Sequence, residues 1–188
     1  AYLASARKVA QRKPVVMYVA GRSAEGRRAA KSHSGSLAGD YEVSKGVLPQ
    51  VGISVVTRMD ELYPVAEALA LFPPMAGKRV AVLSEGGGVI TVAAEALVDR
   101  GLTLPDLDAA TQTKIHAIIP NASAISNPVD SGGGTDPRVE YCGSIAQAIL
   151  EDPNIDALLI VGFFGGYTMR YGPGVAEAEN KVCLDLAD

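Results

Sequence analysis

The sequence has little of what several protein classes require. It holds two cysteines, Cys142 and Cys183, in 188 residues, which is too few for a disulfide framework or a zinc site. The best apolar run, Ala157 to Phe164, is far shorter than the roughly 18 residues of a membrane-spanning helix, and no signal peptide is present. We therefore expect a cytoplasmic protein that does not enter a membrane.

Aromatic residues are also scarce, at 5% of the chain, and tryptophan is absent. A nucleic-acid surface would combine a long basic stripe with stacking aromatics, so nucleic-acid binding is not expected. The net charge is −4, yet four cations fall close together, namely Arg22, Arg27, Arg28 and Lys31. A cluster this local indicates a small anion as the ligand.

Apolar residues make up 48% of the chain and charged residues 20%, which is ordinary globular composition. Short apolar runs alternate with helical patterns, and this alternation predicts an α/β fold with parallel sheets, flavodoxin-like or Rossmann-like. Strands are predicted at Val15–Val19, Ile53–Thr57, Arg79–Leu83 and Ala157–Phe164. Helices are predicted over 1–12, 41–48, 59–72 and 176–187, after the Gly86–Gly88 turn, and after Asp108 and Asp136. Asp40, Asp108 and Asp136 can act as N-caps, and Gly101 is placed to end the helix after the glycine turn.

The segment Phe72–Gly77 is typical of a linker, which predicts two domains over residues 1–73 and 78–188. Two strands are too few for a doubly wound domain, so we expect that the first domain lacks an N-terminal part and that the second is truncated. The predicted core faces of two helices consist of Leu62, Val65, Ala66, Leu69 and Phe72, and of Val139, Cys142, Ile145, Ala146, Ile149 and Leu150.

The densest polar segment runs from Gly21 to Asp40, and Gly21 to Gly39 is predicted to be a loop between a strand and a helix, where α/β proteins bind ligands. It holds Ser32, His33, Ser34 and Gly35 beside the four cations. Phosphate would find hydroxyls, positive charge and a helix N-terminus there, and a neutral imidazole could accept a phosphoryl group. The alternative is a flexible polar loop with an exposed histidine.

A second glycine-rich turn, Gly86-Gly87-Gly88, is a weaker candidate for a nucleotide or phosphate loop, and its alternative is a tight turn with close packing. Asn127 and Asp130 flank a turn proline, where they could cap the turn or contact a ligand. A Walker A loop is rejected, because Arg27 and Arg28 replace its Lys and Ser/Thr. His116 is interpreted as a flank of the core, and no metal site is expected.

Several segments together resemble one known family. KPVVMYVAGRSAEGRRAAKSHSGSLAG is similar to the signature of NDP-forming acyl-CoA synthetases, which include the ADP-forming acetyl-CoA synthetases and relatives of the succinyl-CoA synthetase α-subunit. QVGISVVTRMDELYPVAEALA, GKRVAVLSEGGGVITVAAEALVDRGL, NPVDSGGG and DPNIDALLIV resemble later landmarks of that family. The resemblance spans nearly the whole chain, and the SHSG segment is its most specific part.

The resemblance implies succinyl-CoA synthetase-like, flavodoxin-like ligase domains, with three-layer parallel sheets. It implies that His33 carries phosphate between an acyl phosphate and a nucleoside diphosphate, in the reversible reaction of acyl-CoA, ADP and phosphate to a small carboxylic acid, CoA and ATP. CoA, ATP or ADP, and Mg²⁺ would be bound mainly by CoA-binding and ATP-grasp domains or subunits that are not in this chain, within an oligomer.

Some positions depart from the family pattern. Ser34 replaces the usual threonine and keeps the hydroxyl, whereas Glu85 takes the place of an asparagine and sets a negative charge beside the second glycine turn. The alternative function is a non-catalytic acyl-CoA-synthetase-like regulatory module, such as one fused to a lysine acetyltransferase. The intact His33 favours the enzyme.

Overall fold

The computed structural model describes residues 2–34, 40–133 and 138–187. The chain divides into two compact units, Ala1–Pro74 and Met75–Asp188. Among the helices of the described ranges, none combines the length and apolar character needed to cross a bilayer.

The first unit is built on two parallel strands. Its elements are, in chain order, α1 (Tyr2–Ala10), β1 (Val15–Tyr18), α2 (Ala24–Ser34), α3 (Tyr41–Val47), β2 (Ile53–Val56) and α4 (Leu62–Leu71). β1 pairs with β2 in parallel, with Val15 opposite Ile53. Leu48, Val51 and Ile53 form its buried cluster, onto which the side chains of α1 and β1 pack.

The second unit is built on three parallel strands in the order β4-β3-β5. Its elements are β3 (Val80–Ser84), α5 (Gly87–Val98), α6 (Ala109–Ile118), β4 (Val129–Asp130), α7 (Val139–Leu150), β5 (Ala157–Ile160), α8 (Tyr167–Tyr171) and α9 (Ala176–Asp185). Helices connect parallel strands in both units, as a flavodoxin-like α/β fold requires, so the predicted fold class is confirmed. The two-residue β4 and the short α8 were not predicted.

The core of the second unit lies between β3 and the helices α6 and α7. All five residues of β3 are buried, as a central parallel strand should be. The predicted face of α7 is confirmed from Val139 to Ile149, whereas Leu150 is 49% exposed. Each fully buried aliphatic side chain contributes roughly 1.5–3 kcal/mol, so α7 is the main apolar support of this sheet.

The predicted core face of α4 is wrong at its C-terminal end. Leu69 is 45% exposed and Phe72 is 71% exposed, and no residue of α4 is buried. The apolar period of a helix identifies a face but does not supply the layer that covers it. Among the described residues α4 packs against β1, and its half-buried residues, Leu62, Val65 and Ala66, all lie in its first half.

Helix ends follow their local capping chemistry. The Asp40 carboxylate accepts hydrogen bonds from the amides of Glu42 and Val43 at the start of α3, and Asp108 accepts from Ala110 at the start of α6. Gly101, with φ of +77°, ends the turn after α5. These predicted ends are confirmed, whereas the predicted Asp136-Pro137 cap lies outside the described residues.

Candidate functional site

The segment that carries His33 is a helix over residues 24–34, so the prediction of a loop from Gly21 to Gly39 is wrong for those residues. Ser23 begins α2, because its hydroxyl accepts a hydrogen bond from the amide of Gly26 at 3.0 Å. Alanine, lysine and arginine are strong helix formers, and they outweigh the single internal glycine. The backbone of His33 therefore lies in the last turn of α2, and Gly35 lies outside the described residues.

The four predicted phosphate-binding cations do not share one environment. The Arg27 guanidinium folds back and donates from Nη1 to the carbonyl oxygens of Gly21, at 3.3 Å, and Arg22, at 3.0 Å. Arg27 therefore braces the turn between β1 and α2. Arg28 forms a 3.5 Å ion pair with Glu25, in which both side chains are about three-quarters exposed, and such pairs contribute less than about 1 kcal/mol.

Arg22 and Lys31 differ from these two arginines. Both are exposed, and no carboxylate in the described part of the chain forms an ion pair with either of them. Ser32 is also exposed. The side chains that remain open for an anion in this segment are thus Arg22, Lys31 and Ser32, with Arg28 held only weakly by Glu25.

The second glycine turn joins β3 to α5 at the carboxyl edge of the sheet. Gly86 is the N-cap of α5, and no side chain caps the helix there. The amide of Gly86 donates to the Ser84 hydroxyl at 3.2 Å, whereas the amides of Gly87 and Gly88 have no acceptor among the described residues. A Cβ added at Gly86 or Gly88 would meet nothing within 4 Å, so close packing does not require glycine at those two positions.

Asp130 lies beside this turn. It ends β4 opposite Ser84 of β3, and its Oδ1 accepts a hydrogen bond from the amide of Gly132 at 2.9 Å. Its Oδ2 lies 3.3 Å from the position that a Cβ of Gly87 would occupy. The topology therefore brings Asp130 and the glycine turn together, as expected for adjacent parallel strands.

Asn127 is committed to the scaffold. Its side-chain oxygen accepts from the amide of Val82 at 3.1 Å, and its Nδ2 donates to the carbonyl oxygens of Val80, at 3.0 Å, and Pro105, at 2.8 Å. The side chain is buried and binds backbone groups of β3. The peptide bond between Asn127 and Pro128 is cis. Its hydrogen-bonding groups are thus used by backbone rather than presented to a ligand.

The sequence-based prediction missed the loop that follows β5. Glu85 accepts hydrogen bonds from the Tyr167 hydroxyl at 2.5 Å and from the amide of Phe163 at 3.2 Å. Buried Glu179 of α9 accepts from the amides of Gly165, at 2.7 Å, and Tyr167, at 3.2 Å. The signal was present, because Gly162 and Gly165-Gly166 form a further glycine-rich segment directly after a strand.

Two other chemistries find no support among the described residues. Burial raises the pKa of the Cys142 thiol to about 12, so this cysteine is not a thiolate nucleophile.

His116 is exposed on α6, so the interpretation of this residue as a flank of the core is wrong. Within the described ranges, no three His, Cys, Asp or Glu side chains are grouped so as to hold a metal ion.

Comparison with known proteins agrees with this architecture. Residues 1–69 match the family model of the succinyl-CoA ligase like flavodoxin domain, and residues 80–182 match that of the Ligase-CoA domain. A solved structure of the dinucleotide forming acetyl-coenzyme A synthetase 1 of Ca. Korarchaeum cryptofilum, in complex with phosphate and ADP, is similar with a TM-score of 0.75 and 30% identity. That match covers 85% of this chain and 34% of that chain.

Curated relatives carry related names. The α subunit of acetate–CoA ligase (ADP-forming) II of Pyrococcus furiosus is 34% identical over 185 residues, which cover 96% of this chain and 40% of that protein. The 4-hydroxybutyrate–CoA ligase (ADP-forming) of Nitrosopumilus maritimus is 29% identical over 148 residues, which cover 79% of this chain and 21% of that protein. This chain thus spans less than half the length of these relatives.

The Ligase-CoA domain match alone extends over more than half of the 188 residues. It is joined by a match to the neighbouring flavodoxin-like domain and by the three relatives described above, whose names are those of CoA ligases or an acetyl-coenzyme A synthetase. The chain therefore belongs to the NDP-forming acyl-CoA synthetase family.

Proposed function

We propose that this chain is the phosphate-carrying part of an acid–thiol ligase, which interconverts acyl-CoA, ADP and phosphate with a carboxylic acid, CoA and ATP. The observation that carries the proposal is His33 within the SHSG segment of a chain that belongs to this family. His33 lies in the last turn of α2, which also carries Arg27, Arg28 and Lys31, and Asp40 caps the next helix six residues after Ser34.

In this proposal the reaction has three transfers. A phosphate oxygen attacks the thioester carbonyl carbon, the C–S bond breaks, and CoA leaves as a thiolate. An imidazole nitrogen of His33 then attacks the phosphorus of the acyl phosphate, and the carboxylate leaves with the electrons of the P–O bond. Finally, a terminal oxygen of ADP attacks the same phosphorus, the N–P bond breaks, and ATP forms with free histidine.

The chain's own residues supply the electrostatics of phosphate transfer. Arg22, Lys31 and the weakly held Arg28 place exposed positive charge on the segment that leads to His33. Charge-assisted hydrogen bonds from such cations are about twice as strong as neutral ones. Arg27 contributes indirectly, because it fixes the turn that positions Arg22.

The second glycine turn is proposed as a further phosphate contact. Its residues fit an anion, since the amides of Gly87 and Gly88 are uncapped at the positive end of the 12-residue helix α5. The open space around Gly86 and Gly88 lets a ligand approach the backbone where a side chain would otherwise project. Asp130 would orient the turn from the end of β4.

The remaining ligands are assigned to other parts of the assembly. CoA, the nucleotide and Mg²⁺ would be held mainly by CoA-binding and ATP-grasp domains or subunits, which would associate with this chain in an oligomer. The small carboxylic acid would be bound there too. The P. furiosus and N. maritimus relatives are named for different acids, so the acyl group is not assigned.

The test is intact-mass measurement of the full-length protein at neutral pH after incubation with Mg²⁺ and ATP. The chain has two histidines, which provides a matched control. We expect an acid-labile phosphoryl adduct in the native protein and in His116→Ala, and none in His33→Ala. A folded native protein that acquires no adduct would contradict the proposal and favour the non-catalytic regulatory module.

A further inference from the structure

A carboxylate directly precedes the glycine turn that is proposed to contact phosphate. Glu85 is the residue between the end of β3 and Gly86, the N-cap of α5. An uncommitted negative charge at this position would compete with phosphate for the amides of Gly87 and Gly88, because both anions are attracted to the same helix end. The direction in which the Glu85 carboxylate points therefore affects how well the turn can bind an anion.

Both carboxylate oxygens of Glu85 accept hydrogen bonds from residues that follow β5. Oε1 accepts from the Tyr167 hydroxyl at 2.5 Å, and Oε2 accepts from the amide of Phe163 at 3.2 Å. Phe163 lies in the loop after β5 and Tyr167 is the first residue of α8, some 80 residues further along the chain than Glu85. A hydroxyl bound to a carboxylate at 2.5 Å is a charge-assisted bond, the stronger class of hydrogen bond, and Tyr167 is fully buried.

The loop after β5 is shaped around this carboxylate. Gly162 has φ of +123°, and a Cβ at that position would collide with Oε2 of Glu85. Glu179, which is buried, holds the other side of the loop through the amides of Gly165 and Tyr167. The backbone of Tyr167 is therefore held by Glu179 and its hydroxyl by Glu85. Because the side chain is also fully buried, its hydroxyl is a well-ordered donor.

We propose that Glu85 and Tyr167 are positioning residues of the glycine turn, and that the Tyr167 hydroxyl keeps the Glu85 carboxylate directed away from the anion-binding end of α5. This inference rests on the proposed function. A glutamate at this position is then compatible with phosphate at the glycine turn, because the Tyr167 hydroxyl and the Phe163 amide hold its carboxylate. Neither residue contacts the reacting atoms.

The test measures the steady-state KM for inorganic phosphate in the direction that forms ATP, on the full-length protein. Tyr167→Phe removes the donor and frees the carboxylate, so we expect the KM for phosphate to rise about tenfold, with the KM for ADP changed by less than about twofold. Adding Glu85→Gln removes the freed charge, and the double variant should return close to the native KM.

The reversal separates positioning from a purely structural role. If the bond only supported the loop, the double variant would be no better than Tyr167→Phe, and the inference would be wrong. Tyr63→Phe makes the same chemical change at a residue that is 81% exposed in the first unit, and it should leave both KM values unchanged.

A second variant covers the case in which Tyr167→Phe fails to fold. Glu85→Gln alone keeps an oxygen that can accept from Tyr167, and we expect its KM for phosphate to equal or fall below the native value; a rise of more than about threefold would overturn the inference. ATP labelling of His33 is measured in parallel. If Tyr167→Phe is labelled normally and its KM for phosphate is unchanged, the inference is wrong and the proposed function stands. If the native protein is not labelled, the proposed function is wrong, and the inference falls with it.

Discussion

Replacement of Asn127 by alanine should destabilise the second unit strongly without acting on ligand binding. The side chain is 8% exposed and makes three hydrogen bonds to backbone, one accepted from Val82 and two donated to Val80 and Pro105. These bonds tie the central strand β3 to the segment that leads into α6. Alanine removes all three and offers no replacement.

The magnitude follows from those three contacts. A net contribution of about 1 kcal/mol for each hydrogen bond gives a loss of about 3 kcal/mol. Val82 is fully buried, so its amide is left without water, and an unsatisfied buried donor adds up to about 3 kcal/mol. The total is a large part of the roughly 5–15 kcal/mol that stabilises an ordinary domain.

Urea unfolding followed by circular dichroism measures this loss. With a slope of about 2 kcal/mol per molar urea, a loss of 3 kcal/mol lowers the midpoint by about 1.5 M. Hydrogen exchange of residues 80–84 should accelerate in the same variant. Asn121→Ala makes the same change at an exposed position and should shift stability by less than about 0.5 kcal/mol.

A different result would refute the reasoning. If Asn127→Ala lost less than about 1 kcal/mol of stability yet raised the KM for phosphate or CoA, its amide would be a ligand contact and the backbone bonds would be incidental. The test therefore decides between the two interpretations of Asn127 that the sequence leaves open.

Three further outcomes are expected. Hydrogen bonds from Arg79 lower the pKa of Asp156 from 3.8 to about 2, so the ionised carboxylate stabilises the fold above pH 4 and this stability is lost as the pH falls through 2. Asp156→Asn should flatten the acid limb of the unfolding curve there, and an unchanged limb would contradict this. Cys183 is exposed and Cys142 is buried, so a thiol reagent at pH 8 should label one cysteine in the native protein and two in urea; two in the native protein would contradict the burial. Ile145→Ala should lower the free energy of unfolding by about 2–5 kcal/mol, and a loss below 1 kcal/mol in urea unfolding would contradict the packing of α7.

Features governed by near neighbours were predictable from the sequence. Asp40 and Asp108 act on amides two or three positions away, and Gly101 acts on the turn that contains it. The apolar period of α7 identified Cys142 and Ile145 as core residues. For the caps and the turn, the interaction that fixes the structure is complete within one or two helical turns, so the sequence contains all of it. The face of α7 also needs β3 and α6 to cover it.

The helix α2 shows where composition misleads. The serines and glycines between Gly21 and Gly39 predict a loop if they are counted together, yet residues 24–34 contain one glycine among alanines, lysine and arginines. The pattern predicts Ser23 as part of that polar loop, whereas its hydroxyl caps the helix. Position relative to the helix end, rather than the number of polar residues, decides what a serine does.

Glu85 and Asn127 show why the candidate site could be predicted only in part. Both are polar residues near glycine or proline turns at strand ends, and the sequence shows their chemistry without showing their partners. The partners of Glu85 lie 78 and 82 positions away, and those of Asn127 lie 22 to 47 positions away. A negative charge beside a phosphate turn is repulsive only if it faces that turn. The carboxylate of Glu85 binds the Tyr167 hydroxyl instead. In the sequence, a glutamate in place of the family's asparagine argues against phosphate binding; in the fold, this hydrogen bond weakens that argument. The same reasoning makes Tyr167, which no motif singles out, the residue whose loss should restore the repulsion.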